Sequence, residues 1–397
     1  RAPRELAWEA RRAARGGAGG AGGARGAPGG ERGRGDGGAG PPPGDALTGL
    51  EGDLVAAFPY MNSRDLAMVL SAFALAQRRP RHPAFWPGCE AALLRASAAP
   101  PGTGAGWPAS SLRALAALRK GPRRTVIDAL LRGVLRESPS PRDLAQALWA
   151  LGRMRYVADA HLAAALDSAL EGRVRGLSNE ALCQVTWSWR RTGTASEPAP
   201  GVGGSANPAD GDACPLAPPR RRALDAVHAE AERRMADSGA EPAGGFRGWQ
   251  VVMLVDELQR LGRDPGPALF RALDEVLAPG GASLGALDAR PAVLALRVLV
   301  RSRGAVRPEV LEGLLERIEA GMSRLSASSL ATLLKALGEL EHSPGPGFMG
   351  ALRRQARRRL AAFNESRLLD ALAGFAALKV HPGQELLQRF TDSMRSG

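Results

Sequence analysis

Ser140-Pro-Arg-Asp-Leu-Ala-Gln-Ala-Leu-Trp-Ala-Leu-Gly152 is the stretch of this sequence that decides its fold class. Related stretches recur along the chain, and we take the first Leu of each as its anchor. Leu144 and Leu182 lie 38 residues apart, and so do Leu330 and Leu368. A period of this length is typical of a solenoid in which each repeat supplies one helix pair. The clear copies are anchored at Leu66, Leu144, Leu182, Leu330 and Leu368, and weaker copies near Ser111, Val251 and Leu294.

Each copy has the spacing of a helix with one buried face. Residues four and seven positions after the anchor share a face with it because an α-helix has 3.6 residues per turn; they are Leu148 and Leu151 in the best copy. Position +6 is small, as at Ala150 and Gly374, which allows a neighbouring helix to approach closely. Ser140, followed by Pro141 and Asp143, predicts a capped helix start.

The composition agrees with an all-helical protein. Only 5% of the residues are aromatic, and the 44% hydrophobic content is mostly Leu, Ala and Val, of which Leu and Ala favour helices. A chain of 397 residues is too long for one compact all-helical core. We therefore predict an all-α fold, an α-solenoid of about eight helix-turn-helix repeats with a period near 38 residues.

Two stretches interrupt the helical pattern. Residues 1–45 contain Gly/Ala/Arg-rich low-complexity sequence, and 193–219 are rich in Gly, Pro, Ala and Asp. Such compositions bury little apolar surface, so we predict a disordered N-terminal segment and a disordered insertion within the fourth repeat. Repeats one to four then occupy 46–192, and 220–397 hold the second helix of the fourth repeat through the eighth. Because the chain begins with Arg1, we expect a processed form or part of a longer protein.

The charge balance favours an anionic partner. The formal net charge is +13, and all but three of the 53 basic residues are arginine. The preference for Arg over Lys fits a GC-rich genome and carries little weight. The positive sign of the net charge favours a nucleic acid.

No pattern in the sequence indicates an enzyme, a cofactor or a metal site. The five histidines and three cysteines are scattered, without ligand spacing or a disulfide framework. Gly-rich phosphate loops and nucleophile elbows are absent. No run of 18 apolar residues predicts a membrane span.

The helix face opposite the core carries the candidate binding residues, at positions +2, +5 and +9 from the anchor. Gln, Trp and Arg occupy these positions in two successive repeats, and Arg follows at +9 in the next two. Such a row could contact phosphates through Arg, base edges through Gln and bases through stacking on Trp. The predicted residues are Gln146, Trp149, Arg153, Gln184, Trp187, Arg191, Arg260 and Arg303.

Structural roles are an alternative for the same residues. Each Trp could be wedged between adjacent repeats, and an Arg near a helix end complements the helix macrodipole. A second group of candidates, Arg353 and Arg357, belongs to five arginines within about two helical turns. Like charges at this spacing weaken a helix slightly, so they suggest an anionic partner or a solvated face.

The copies containing Asp143–Gly152 and Asp65–Ala74 resemble the repeats of organellar RNA-binding proteins. These are the octotricopeptide and heptatricopeptide repeat families, and the related repeats of FAST-kinase-like and RAP-domain proteins. The resemblance covers most of residues 60–397, without the Pro-Pro-Pro-Glu-Trp motif or a visible RAP module.

The resemblance implies non-catalytic binding of single-stranded RNA. The implied role is organellar RNA processing, transcript stability, translation or rRNA assembly, with messenger or ribosomal RNA and ribonucleoprotein components as partners. We expect a mitochondrial location, with the plastid as the alternative. A protein-binding scaffold of armadillo or HEAT type, or a structural subunit of an organellar ribosome, is the alternative function.

Overall fold

A computed structural model of the protein describes residues 2–16, 43–99, 106–192, 218–237, 245–302 and 306–396. All regular secondary structure in these residues is helical, which confirms the all-α solenoid class. The α-helices are α1 (Pro3–Gly16), α2 (Pro43–Ala57), α3 (Ser63–Leu75), α4 (Phe85–Ala98), α5 (Trp107–Ala117), α6 (Arg124–Arg136), α7 (Pro141–Met154), α8 (Ala160–Glu171), α9 (Asn179–Thr192), α10 (Pro218–Ala236), α11 (Gly248–Arg260), α12 (Pro267–Val276), α13 (Ala282–Gly285), α14 (Ala289–Arg301), α15 (Pro308–Gly321), α16 (Ala327–Glu339), α17 (Pro346–Arg358), α18 (Glu365–Ala377) and α19 (Gln384–Ser396).

The described residues form two compact units, and the division falls within α10, between Val227 and His228. In unit 1, the first helices of successive repeats pack side by side in the order α1, α3, α5, α7, α9. The second helices α2, α4, α6 and α8 pack on one another in the same way. In unit 2, the corresponding first helices are α11, α14, α16 and α18. None of the described helices is long and apolar enough to cross a membrane.

The predicted helix start at Ser140 is confirmed. At α7, the Ser140 side chain accepts the Asp143 N–H while the Asp143 carboxylate accepts the Ser140 N–H, which completes a capping box. Asn62 caps α3 in the same position, by accepting the Asp65 N–H at 3.0 Å. A polar side chain four residues before the anchor therefore sets where each of these helices begins.

The ends of the first helices also follow one geometry. The backbone adopts a left-handed conformation at Gln77, Arg155, Glu341 and Lys379, each 11 residues after its anchor. The next N–H then bonds a carbonyl five residues back, as Tyr156 does to Leu151 at 3.0 Å. This arrangement satisfies the last carbonyls of the helix and ends it at a fixed point of the repeat.

That fixed point corrects two of the weaker anchors. In α5 the left-handed residue is Arg119, so the anchor is Pro108 and lies three residues before Ser111. In α14 the cap residue is Ser302, so the anchor is Ala292, two residues before Leu294. Ala292 also lies 38 residues before Leu330, the same interval that separates Leu330 from Leu368. The degenerate sequence near both anchors explains the misplaced register.

The prediction of disorder over residues 1–45 is wrong at its start. Residues 3–16 form α1, which packs on α2 and α3 and buries Leu6, Ala7, Ala10 and Ala14. These apolar residues recur at helical spacing within an Arg-rich sequence, and a neighbouring repeat covers them. The helix pair α1–α2 raises the number of described pairs to nine. Residues 17–42 and 193–217, on which the predicted disorder also falls, lie outside the described residues.

Small residues bring the first helices into backbone contact, at the predicted position +6 for Gly374 and two residues later, at +8, for Gly152. A Cβ added at Gly374 in α18 would lie 2.5 Å from the carbonyl carbon and oxygen of Leu334 in α16. A Cβ added at Gly152 in α7 would lie 2.8 Å from the Cα of Ser188 in α9. Both distances are shorter than a van der Waals contact, so only glycine fits at these crossings.

A buried polar cluster joins three helices of unit 1. The fully buried Trp189 of α9 donates its indole N–H to Asp167 of α8 at 2.9 Å. The other oxygen of Asp167 accepts from Arg220, near the start of α10, at 3.1 Å. Burial raises the pKa of Asp167 above its ordinary value, although Arg220 and the Trp189 N–H act in the opposite direction. Asp167 therefore holds the beginning of α10 to the helices that precede the insertion.

Gly374→Ala tests the backbone contact between α16 and α18. We expect it to lower the free energy of unfolding by about 1–3 kcal/mol, because the added methyl group meets backbone that cannot move aside easily. Gly350→Ala in α17 is the matched control, since its Cβ would meet only the flexible end of Arg354. The control should gain up to about 1 kcal/mol from helix propensity. Equal effects of both substitutions on urea denaturation would contradict the proposed contact.

Asp167→Ala tests the buried cluster. Removing the carboxylate leaves Trp189 and Arg220 without their partner, and we expect a loss of about 3 kcal/mol in urea denaturation. Asp167→Asn should lose less, because its side-chain carbonyl still accepts from Trp189. Asp274→Ala, on an exposed position of α12, is the control and should change stability little. An Asp167→Ala protein as stable as this control would refute the role of the cluster.

Candidate nucleic-acid interface

The first helices of unit 1 carry a cleft of about 390 Å³ on the face predicted to bind. Gln146 of α7 and Gln184 of α9, both at position +2, line it. Arg113, at position +5 of α5 in the corrected register, and Arg142, in the first turn of α7, add two cations. The structure thus brings both predicted glutamines together with two arginines that were not predicted.

The cleft offers both hydrogen-bond donors and acceptors. The Gln184 amide donates to the Glu180 carboxylate at 2.9 Å, which fixes the orientation of the amide. Gln146 is only 8% exposed, and its amide, at the wall of the cleft, makes no hydrogen bond to the described residues. An unpaired amide beside an oriented amide–carboxylate pair can form hydrogen bonds with the edge of a base.

Helices α5 and α7 carry three exposed cations: Arg113 on α5, and Arg142 and Arg153 on α7. Within the described residues, none of them forms an ion pair with a carboxylate. Arg153 occupies position +9 of α7, as predicted. Unpaired guanidinium groups on one face are suited to phosphate oxygens, which they can bind through two hydrogen bonds.

The two tryptophans predicted to stack on bases, Trp149 and Trp187, are half-buried. Trp187 packs against α7, with its ring 3.0 Å from the position of a Cβ added at Gly152. Arg191 lies 5.1 Å above the Trp187 ring and donates to the Gly152 carbonyl at 2.9 Å. Trp187 and Arg191 therefore join adjacent repeats, which supports the structural alternative for this pair. Trp149, at position +5 of α7, does not line the cleft.

In unit 2, arginine occupies position +9 of α11 and α14, as Arg260 and Arg301, and Glu339 occupies this position in α16. Arg260 is half-buried and already interacts with other residues of the chain. Arg303 lies outside the described residues, and the corrected register places Arg301, not Arg303, at position +9 of α14. The cap of α14 moves its anchor from Leu294 to Ala292, so Arg303 falls two positions beyond +9 in the sequence, and its role in binding stays a prediction.

Position +5 of α11 and of α14 has a structural role. Asp256 of α11 is fully buried and pairs with Arg297 of α14, whose Nε donates to it at 2.8 Å. A second nitrogen of Arg297 bonds the other carboxylate oxygen. This bidentate pair joins consecutive repeats at the position that Trp187 occupies in α9, so unit 2 lacks the Gln-Trp-Arg pattern.

Arg353 and Arg357 lie on α17, a second helix of its repeat, and not on the helices that carry the predicted face. Arg357 pairs with Glu385 of α19 at 2.6 Å, and Arg353 is exposed. The five-arginine cluster is therefore partly neutralised by its own chain. It supplies surface charge separate from the cleft of unit 1.

The sequence contained signals for the two arginines that were missed. Arg142 lies two residues before the clearest anchor, in a first turn where the helix dipole disfavours a cation. Arg113 reaches position +5 only when the anchor moves to Pro108, which the cap at Leu118 and Arg119 requires. A search for cations at unfavourable helix positions would have found Arg142.

No group of three or more His, Cys, Asp or Glu side chains is placed to hold a metal ion within the described residues. Burial raises the pKa of Cys89 to about 12, so its thiol is protonated and poorly nucleophilic at neutral pH.

The chain is similar in part to a known sequence and to a solved structure. No protein-family model matches the chain. The chain is 34% identical over 143 residues to the chloroplastic Tbc2 translation factor of Chlamydomonas reinhardtii. The match covers 35% of this chain and 13% of that protein, so the chain spans only a small part of its relative.

The structural neighbour is a circular tandem repeat protein with novel repeat topology and enhanced subunit contact surfaces. It aligns over 99% of this chain and 94% of its own, with 14% sequence identity and a TM-score of 0.25. The helices and their packing define the solenoid without reference to this alignment.

Proposed function

We propose that this chain is a non-catalytic RNA-binding solenoid that acts on organellar transcripts. The observation that carries the proposal is the cleft of unit 1, where unpaired Arg113 and Arg142 flank Gln146 and Gln184. Single-stranded RNA is the substrate class that matches this set. Its phosphates bind arginine, and its unstacked bases present their edges to amides.

The contacts divide into two kinds. Arg113, Arg142 and Arg153 neutralise phosphates and supply affinity that does not depend on sequence. Gln146 and the Glu180–Gln184 pair contact base edges and supply discrimination between bases. Trp149 provides a partly exposed aromatic surface for stacking, whereas Trp187 and Arg191 hold α9 against α7.

The plastid is the compartment that we propose. The relative is a chloroplastic translation factor, and this favours the plastid over the mitochondrion. The same relative supports a role in translation among the RNA-related functions that the repeat resemblance implies. The proposed partner is a plastid transcript bound as single-stranded RNA.

Arg113→Glu/Arg142→Glu tests the phosphate contacts. We expect the double variant to bind a single-stranded RNA oligomer at least about tenfold more weakly in a filter-binding assay, because two phosphate contacts become repulsive. The slope of log affinity against log salt should fall by about 1.4, since each lost contact contributes about 0.7 for single strands.

Arg132→Glu/Arg221→Glu is the matched control for net charge. Both arginines are exposed in unit 1, on α6 and α10, and neither lines the cleft. If both double variants weaken binding equally, RNA responds to total charge and the cleft is not its site. If the wild-type chain binds no RNA, while a pull-down recovers protein partners that survive ribonuclease, the scaffold alternative replaces the proposal.

Gln146→Ala tests whether the Gln146 amide discriminates between bases. We expect it to reduce the differences in affinity among A-, C-, G- and U-rich oligomers, with an unchanged salt slope, because the amide contacts bases and not phosphates. Gln388→Ala, an exposed glutamine of α19, is the control and should preserve those differences. A changed salt slope in Gln146→Ala would contradict this division of roles.

A further inference from the structure

A second cleft, of about 360 Å³, lies within unit 2, apart from the +2, +5 and +9 positions. One wall consists of the end of α13 and the first turn of α14, and the other of the end of α15 and the 3₁₀ turn Met322–Arg324. Three arginines line it: Arg290, Arg317 and Arg324. Asp288 is the one carboxylate among its lining residues.

None of these three arginines forms an ion pair within the described residues, although many arginines in unit 2 do. Arg297, Arg357 and Arg367 are paired with Asp256, Glu385 and Asp370. Three cations and one carboxylate therefore line the cleft. Its net positive charge favours binding of an anion.

The guanidinium of Arg317 is held in place by the protein itself. Its Nη1 donates to the Gly285 carbonyl at 3.1 Å, which ties α15 to the end of α13. Arg317 has five N–H donors and this bond uses one, so the others can face a ligand. Arg290 and Arg324 are exposed and can close on a ligand from the two sides.

The position of Arg290 repeats that of Arg142. Each lies two residues before the anchor of its helix, Ala292 in α14 and Leu144 in α7, and each lines a cleft. A cation in the first turn opposes the helix dipole and does not stabilise the free helix. Arg64 of α3 has the same placement but faces the Trp107 ring. Arg142 and Arg290 instead face clefts, where an anionic ligand would offset the unfavourable charge.

We propose that the cleft formed by Arg290, Arg317 and Arg324 binds a phosphate group of RNA. This inference rests on the proposed function and adds a separate phosphate site in unit 2. The phosphate could be an internal phosphodiester, with a charge of −1, or a terminal phosphomonoester. Like a phosphorylated side chain, the monoester carries about −1.5 to −2 at neutral pH.

The test uses Arg290→Glu/Arg324→Glu in the full chain, which leaves the Arg317–Gly285 contact in place. The probes are two single-stranded RNAs of one sequence, with a 5′-hydroxyl or a 5′-phosphate. We expect at least about tenfold weaker binding by the double variant, because two guanidinium contacts become repulsive. An equal loss for both RNAs assigns the site to an internal phosphate. A larger loss for the 5′-phosphorylated RNA assigns it to the terminal phosphate.

Arg271→Glu/Arg389→Glu is the matched control, with the same change of charge at exposed positions of unit 2 outside the cleft. Thermal melting should show that both double variants remain folded. The inference is overturned if Arg290→Glu/Arg324→Glu binds both RNAs as the control does. If Arg113→Glu/Arg142→Glu still weakens binding in that case, the proposed function stands and only the second site fails. If the wild-type chain binds neither RNA, the proposed function itself fails.

Discussion

The contact between the backbones of consecutive first helices is the constraint on which the rest of this structure depends. Gly374 against Leu334 in unit 2, and Gly152 against Ser188 in unit 1, permit approach that any side chain would block. At this short separation, residues at equivalent positions of neighbouring helices lie side by side. A polar residue repeated along the chain can thus become part of a continuous surface, as Gln146 and Gln184 do.

The arginines of this basic chain fall into two groups that sequence position alone does not separate. Some bind other groups of the protein and stabilise the fold. The contacts are Arg220 to Asp167, Arg297 to the buried Asp256, and Arg191 to the Gly152 carbonyl. Others line clefts without a carboxylate partner in the described residues, such as Arg142 and Arg290. Only the second group has donors free for a polyanion. The net charge of the chain therefore overstates the number of arginines that can bind one.

The sequence predicted the class of fold because its regular spacings follow from the geometry of helices and of stacked repeats. The 38-residue spacing from Leu144 to Leu182, the cap at Ser140 and the small residue at Gly374 each correspond to a feature of the structure. It misjudged α1, because low-complexity neighbours obscured four apolar residues at helical spacing. It misplaced the anchor of α14 because the copy around Ala292 is degenerate, and the helix cap locates this anchor better than the apolar pattern does.

By itself, the sequence determined the helices, the position of their caps and the face that each helix buries, because these follow from interactions within one turn or one repeat. Tertiary structure alone decided which polar residues remain free. Trp187 and Arg191 share a pattern with Trp149 and Arg153, yet the first pair packs on α7 while Arg153 is exposed. Whether a guanidinium is paired depends on the neighbouring repeat that faces it, and repeat spacing does not encode that neighbour.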